Sequence, residues 1–488
     1  MRTATLVMAL ALASCGRTEP TAKAPPVTGS PATDEAPPAP EIVTAEPLAP
    51  GDSGEPPPVP ADIRWVALGA ADGPWSNQLS IEDELLAVAA RLGDGGVTLY
   101  AGGAGSAGVQ VADPAPRGSA LTQTLGAILD PRAGRDAHYQ ALRARPHDAS
   151  SYAALERVLQ AAVAPPGPTP PRLTVWIAGH GAGADAARDV TVPVWFGDAL
   201  LPEELARALT GPRPFRLVQT TCFSGAFAEL VIDQPNRACG AFATRWNLEA
   251  SGCDPSAAAR DSYGAMLLGD GAGDLDGDGA IGLSERHVHA AIDGPGIEVP
   301  LLSSQVWLER EVGDVPADTV IDQKEPLLAE ERGLLAGLLA RGKLTADELP
   351  ARFEALAGRA EAALAEQAAA AHEAEALRLT LVSELVRRWP AIEDPWHPDF
   401  QPTLVNEGAA IDAWLAASPT VAKWRLALGA SDALDTRVHA LELELAVLDR
   451  AMVVRDTMLR AAVAKAGIEG STWATFAALR ACEREALP

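Results

Sequence analysis

The chain has 488 residues, a formal net charge of −26 and 48% hydrophobic residues. At roughly 150 residues per domain the length allows about three domains, and the apolar content is enough for a sizeable core. So acidic a balance excludes a nucleic-acid binder that works by neutralising phosphates and suits a water-facing surface or divalent cations.

Met1-Arg2 opens a short apolar run from Thr3 to Ser14. That run is too short to span a bilayer and reads as the core of an export signal. It ends Leu12-Ala13-Ser14-Cys15-Gly16, which resembles the lipobox of bacterial lipoproteins. The resemblance implies cleavage of residues 1–14, a diacylglycerol on the Cys15 thiol, and placement in the cell envelope. Gly16 is not acidic, which points to the outer membrane. No other stretch is apolar and long enough for a transmembrane helix, so the lipid is the expected membrane anchor. Residues 15–60 are rich in Pro, Ala, Glu and Thr and carry no aromatic residue. Such a composition cannot bury a core and predicts an extended tether. Export also permits disulfides. Cys239 and Cys253 are close enough in sequence to bridge, whereas Cys482 shows no obvious partner.

From Ile63 the pattern becomes that of a folded domain, expected over residues 61–311. Apolar runs at Ile63–Leu68, Val97–Tyr100, Leu173–Ala178, Phe215–Gln219 and Ala238–Thr244 read as strands. Helical spacing lies between them at Glu82–Leu92, Tyr152–Val163 and Pro202–Thr210. Strands alternating with helices predict a mostly parallel, doubly wound α/β sheet. Active sites of such sheets lie at the carboxyl ends of the strands. Beyond Val312 the composition shifts to Ala, Leu, Glu and Arg. Leu349–Arg388 and Leu434–Lys465 read as long amphipathic helices, and Ser471 as the N-cap of a short last one. Residues 312–488 are therefore expected to form an all-α bundle or hairpin, a natural place for a protein partner.

Two short segments carry chemistry. Trp176-Ile177-Ala178-Gly179-His180-Gly181 places an imidazole between glycines just after a strand. Gln219-Thr220-Thr221-Cys222-Phe223-Ser224-Gly225 places a thiol after the next strand, before an expected helix whose N-terminus would favour the thiolate. A strand followed by His-Gly, and about forty residues later a strand followed by Cys and Ser-Gly, resembles the caspase-like clan of cysteine peptidases, which includes caspases, metacaspases and legumains. The likeness runs from Ile63 to about Val306, and Asn77–Glu82 also resembles the segment after the first strand in bacterial members. It implies a caspase-like sheet flanked by helices, hydrolysis of a protein or peptide substrate, Cys222 as nucleophile and His180 as general acid and base. The backbone N–H groups of Gly181 and Cys222 would form the oxyanion hole. Metacaspases carry an acid where this chain has Thr220, and the Phe242–Ser251 stretch resembles a legumain pocket segment with Ala250 inserted before Ser251, so the P1 preference stays open. A buried cysteine and a core histidine on an inactive binding scaffold are the alternative.

Asp274-Leu275-Asp276-Gly277-Asp278-Gly279-Ala280-Ile281-Gly282-Leu283-Ser284-Glu285 matches a twelve-residue EF-hand loop. Asp274, Asp276, Asp278 and Glu285 supply carboxylates at positions 1, 3, 5 and 12, and Ala280 would offer its carbonyl. The expected ion is Ca²⁺. His287 and His289 stand two apart on the following helix and do not form a metal pair.

Overall fold

A computed structural model describes residues 56–74, 76–106, 108–116, 119–129, 135–164, 171–251, 262–393, 398–467 and 470–487. The expected export signal, Cys15, the expected tether up to residue 55 and Cys253 lie outside the described residues. The first half of the chain runs β1 (Trp65–Ala70), α1 (Leu79–Leu92), β2 (Gly96–Leu99), β3 (Val109–Pro116), α2 (Ala120–Ile128), β4 (Arg135–Gln140) and α3 (Tyr152–Val163). It continues through β5 (Leu173–Gly179), β6 (Val192–Val194), β7 (Asp198–Leu200), α4 (Pro202–Ala208), β8 (Phe215–Gln219), α5 (Ala228–Ile232) and β9 (Ala238–Phe242). Then come α6 (Tyr263–Leu268), α7 (Leu283–Asp293), β10 (Leu301–Leu302) and α8 (Ser303–Val312).

Six of these strands form one sheet in the order β10-β9-β8-β5-β1-β2, parallel except for β10. Both faces are covered, which is why the strands read as continuous apolar runs. On one face Val66, Leu68, Val175 and Ile177 pack under α3 and α4. On the other, Trp65, Ala67, Trp176 and Ala178 pack under α1 and α6. The fold is thus the α/β class expected. A short ribbon of β3 and β4, carrying α2 at its tip, and a β6–β7 hairpin were not foreseen.

The C-terminal region is α9 (Ala329–Gly342), α10 (Leu349–Arg388), α11 (Phe400–Ala417), α12 (Pro419–Ala466) and α13 (Ser471–Arg484). Leu349, Leu356 and Ala363 on α10, and Trp424, Ser431 and Val438 on α12, are buried at seven-residue spacing, the seam of an antiparallel coiled-coil hairpin. α12 starts fifteen residues before the expected Leu434. Its first turns bury little beyond Val421 and Trp424, so their periodicity is weak. Pro419 in the first turn and the Ser418 side chain, which accepts from Val421 N, mark the true start. Ser471 is the first residue of α13 rather than its cap, a position held by Gly470 in the left-handed region (φ 59°). Among the described residues no helix is long and apolar enough to cross a membrane.

The bundle is not separate from the sheet. Leu334 and Leu338 of α9 share a core with Val288 of α7 and Leu308 of α8, and α13 returns to lie against β9. There the bridge expected between Cys239 and Cys253 is replaced by one between Cys239 and Cys482. Proximity in sequence misled, because Cys239 packs with Leu479 of α13 and Trp307 of α8. Arg216 of β8, buried, donates to the carbonyls of Cys482, Glu485 and Ala486 at 3.3, 3.0 and 3.3 Å. Arg480 has no exposed side chain and is ringed by Glu330, Glu483 and Glu331 at 2.8, 3.0 and 3.3 Å. Burial pushes the Glu331 carboxyl up to about 7. Glu330 is desolvated too, but the charges of Arg480 and Arg484 hold it down at about 2.

The bridge spans 243 residues, so its removal frees a large loop in the unfolded chain. Cys482→Ser is expected to lower stability by about 3 kcal/mol and to abolish the effect of reductant on the melting temperature, measured by calorimetry with and without dithiothreitol.

Candidate active site

The site is built by the register of two neighbouring strands. β5 and β8 pair in parallel, with Ile177 opposite Gln219. Three residues past that pair on each strand stand His180 and Cys222. Thr220 N still donates to Ile177 O at 2.9 Å, so the strands stay side by side as they leave the sheet. Gly179 has φ 115°, a conformation side-chain-bearing residues avoid, and a Cβ there would run into the Ala70 carbonyl. This kink lets His180 N donate to that same carbonyl at 3.1 Å. A Cβ on Gly181 would collide with the Cys222 carbonyl. The glycines around His180 therefore allow the two strand ends to touch backbone to backbone.

His180 Nε2 lies 3.0 Å from the carbonyl oxygen of Ser76. A carbonyl only accepts, so Nε2 carries the proton and Nδ1 is the basic nitrogen of the neutral ring. Ser76 is itself fixed, its hydroxyl bonding the Asp72 carboxylate and accepting from Asp72 N at 3.1 Å.

Cys222 is 1% exposed, and the 243–251 segment wraps it. Its sulfur lies 3.4 Å from Ala250 N and 3.6 Å from Ala250 O. Phe223 N donates to Leu248 O at 2.9 Å, and Thr244 N to Ser224 Oγ at 3.1 Å. Phe223 is held at φ 58°, left-handed backbone that costs a residue of this kind about 1 kcal/mol or more and turns the chain sharply behind the thiol. The expected helix after Cys222 begins as a 3-10 turn, Ser224–Phe227, and continues as the five-residue α5. Its dipole is correspondingly small.

Several neighbours had no signal in the sequence. Thr220 donates to Glu84 Oε1 at 2.6 Å, and Trp176 Nε1 donates to the same oxygen at 2.8 Å. Glu84 of α1 keeps some solvent contact, yet enough protein surrounds it that desolvation raises its carboxyl above the usual range. An acid thus reaches Thr220 from another element. Ser251 Oγ donates to Glu298 at 2.7 Å. Arg245 forms a two-pronged pair with Asp449 of α12 at 2.9 and 3.1 Å, joining the wrapping segment to the helical hairpin.

The candidate metal loop sits before α7. Ligand oxygens of Asp274, Asp276 and Asp278 lie within 4.8 Å of one another. Gly277 and Gly279 take positive φ, and Asp274 accepts from their N–H groups at 2.7 and 3.0 Å. Glu285 is not drawn into this cluster. It is buried, and its oxygens accept from Leu275 N at 2.6 Å and from Gly282 N at 2.8 Å, capping α7. Ala280 N is tied to Asp278 at 2.8 Å. Arg484 reaches Asp276 at 3.1 Å. The three carboxylates thus stand together, and Glu285 holds the loop to its helix. His289 pairs with Asp293 at 2.8 Å while His287 bonds the Tyr263 hydroxyl at 2.8 Å, so the two imidazoles serve different neighbours.

No family model matches the chain, and no curated protein matches its sequence.

His287 sits directly behind the loop. Burial, reinforced by the charges of Arg480 and Arg450, lowers it to about 3. The folded state therefore binds fewer protons than the unfolded one between pH 3 and the ordinary value of 6.5. Stability is full above 6.5 and is lost as the pH falls toward 3. The melting temperature of the wild type is expected to drop on acidification from pH 6.5 to 4.5, and that of His287→Gln to drop distinctly less.

Proposed function

We propose that this chain is a caspase-like cysteine endopeptidase, exported and held at the cell envelope by a lipid on Cys15. The observation that carries the reading is the pairing of β5 with β8, which puts His180 and Cys222 at the same level on adjacent strand ends. A basic imidazole nitrogen and a thiol that can come within its reach are the minimum for acyl transfer. His180 takes the thiol proton, the thiolate attacks the scissile carbonyl, and the backbone N–H groups of Gly181 and Cys222 receive the oxyanion. The proton then passes to the leaving amine, and water hydrolyses the thioester with His180 as base. The Ser76 carbonyl supports this by fixing the ring, in the place an acidic side chain fills in other enzymes.

The acidic loop supports a second part of the proposal, a calcium ion held by Asp274, Asp276 and Asp278 with the Ala280 carbonyl, while Glu285 keeps its place as the cap of α7. It would stiffen the connection into α7.

The burial of Cys222 favours one other reading, an inactive scaffold of the same fold in which the thiol is packing. Labelling separates the two. A thiol-reactive peptidyl probe is expected to modify Cys222 in the wild type and not in His180→Ala. Absence of labelling with calcium present sinks the enzyme reading. Both Cys222→Ala and His180→Ala are expected to lower peptide hydrolysis by roughly a thousandfold or more, measured on a fluorogenic peptide library. Asp274→Asn is expected to weaken calcium binding by at least about tenfold, measured by titration calorimetry and by loss of the calcium-induced rise in melting temperature.

A further inference from the structure

Two long excursions leave the sheet on the side of the candidate site, from opposite edges, and meet away from it. The helical hairpin is fixed beside β9. Arg245, three residues past that strand, holds Asp449, and Arg450 donates to the carbonyls of Glu298, Gly296 and Ala291 at 2.7, 2.6 and 3.0 Å. The β3–β4 ribbon rises beyond the carboxyl end of β2, at the other edge of the sheet. At the far ends the two are joined. Leu125 and Ile128 of α2 lie in one core with Leu381, Leu385, Ile411 and Trp424. Arg378 of α10 donates to Ile128 O at 2.8 Å.

The spans decide what this ring can pass. From Asp449 to Trp424 the α12 axis covers about 38 Å, and the eight residues of β3 cover about 26 Å. Between β9 and β2 lie four strand spacings, about 19 Å. Midway, between Leu364 and Glu373 of α10 and between Asp432 and Arg437 of α12, no side chain is buried, so the hairpin is not seated on the domain there. β5 and β8, which carry His180 and Cys222, are two of the three strands between the ring's feet. An extended chain, or a helix about 10 Å across, passes an opening of this width, while a small folded domain about 30 Å across does not.

We propose that the hairpin and the α2 ribbon form an arch over the candidate active site that admits flexible polypeptide and short peptides and rejects folded proteins. This rests on the peptidase reading and adds the substrate class to it. The arch acts by access alone, since its keystone residues are remote from His180 and Cys222.

The test compares three substrates bearing one cleavable sequence: a short fluorogenic peptide, a reduced and alkylated protein, and a surface loop of a stably folded carrier. Wild-type protein is expected to cleave the first two and to leave the folded carrier at least about tenfold slower than the unfolded one. Leu125→Asp combined with Ile128→Asp, which opens the keystone, is expected to remove most of that difference and leave the short-peptide rate unchanged. Arg378→Ala, a milder change, is expected to move in the same direction and covers the case in which the double variant misfolds. A folded carrier cut as fast as the unfolded chain, or a ratio that neither variant alters, overturns the arch and leaves the peptidase standing. Failure to cut even the short peptide overturns the peptidase reading and the arch with it.

Discussion

A single guanidinium without solvent organises much of this molecule. Arg480 on α13 faces Glu330 and Glu331 of α9 and Glu483 of its own helix. Glu483 also accepts from both serine hydroxyls at the start of α8, at 2.7 Å each. A buried charge is tolerable only when its partners are complete, because removing one leaves an uncompensated ion costing several kcal/mol. The network therefore demands that α8, α9 and α13 assemble together. With Arg216 and the Cys239–Cys482 bridge, it makes the sheet and the helical region one body, although their compositions differ sharply.

The same demand explains how the site is positioned. His180 and Cys222 owe their level to strand register, but the thiol's immediate surroundings come from the 243–251 segment. That segment is anchored at Arg245 by Asp449 of α12 and at Ser251 by Glu298. The cradle of the candidate nucleophile is thus held from the helical side of the molecule. The loop before α7 is held likewise, through Arg484, which links Asp276 to Glu330.

Strands buried on both faces are legible in sequence because nothing interrupts their apolar runs, and β5 and β8 were read nearly to the residue. The pair His180 and Cys222 was legible for the same reason, since each follows such a run. What escaped was set by long-range packing. The partner of Cys239 lies on a helix distant in sequence. The acid that meets Thr220 comes from α1, where Glu84 sits inside an ordinary amphipathic pattern. The carbonyl that orients His180 belongs to Ser76, and a backbone group leaves no trace in residue type. The first turns of α12 escape because they bury little apolar surface beyond Val421 and Trp424.

The return of α13 has a consequence for how the protein is made. β9 and its cysteine are synthesised well before the helix that completes them, with 243 residues of separation between the bridged sulfurs. Contacts of such high order form late and close a costly loop. A chain made from its amino end therefore presents His180 and Cys222 before the elements that brace their surroundings exist. Order around the two strand ends is thus completed last, when α13 reaches β9.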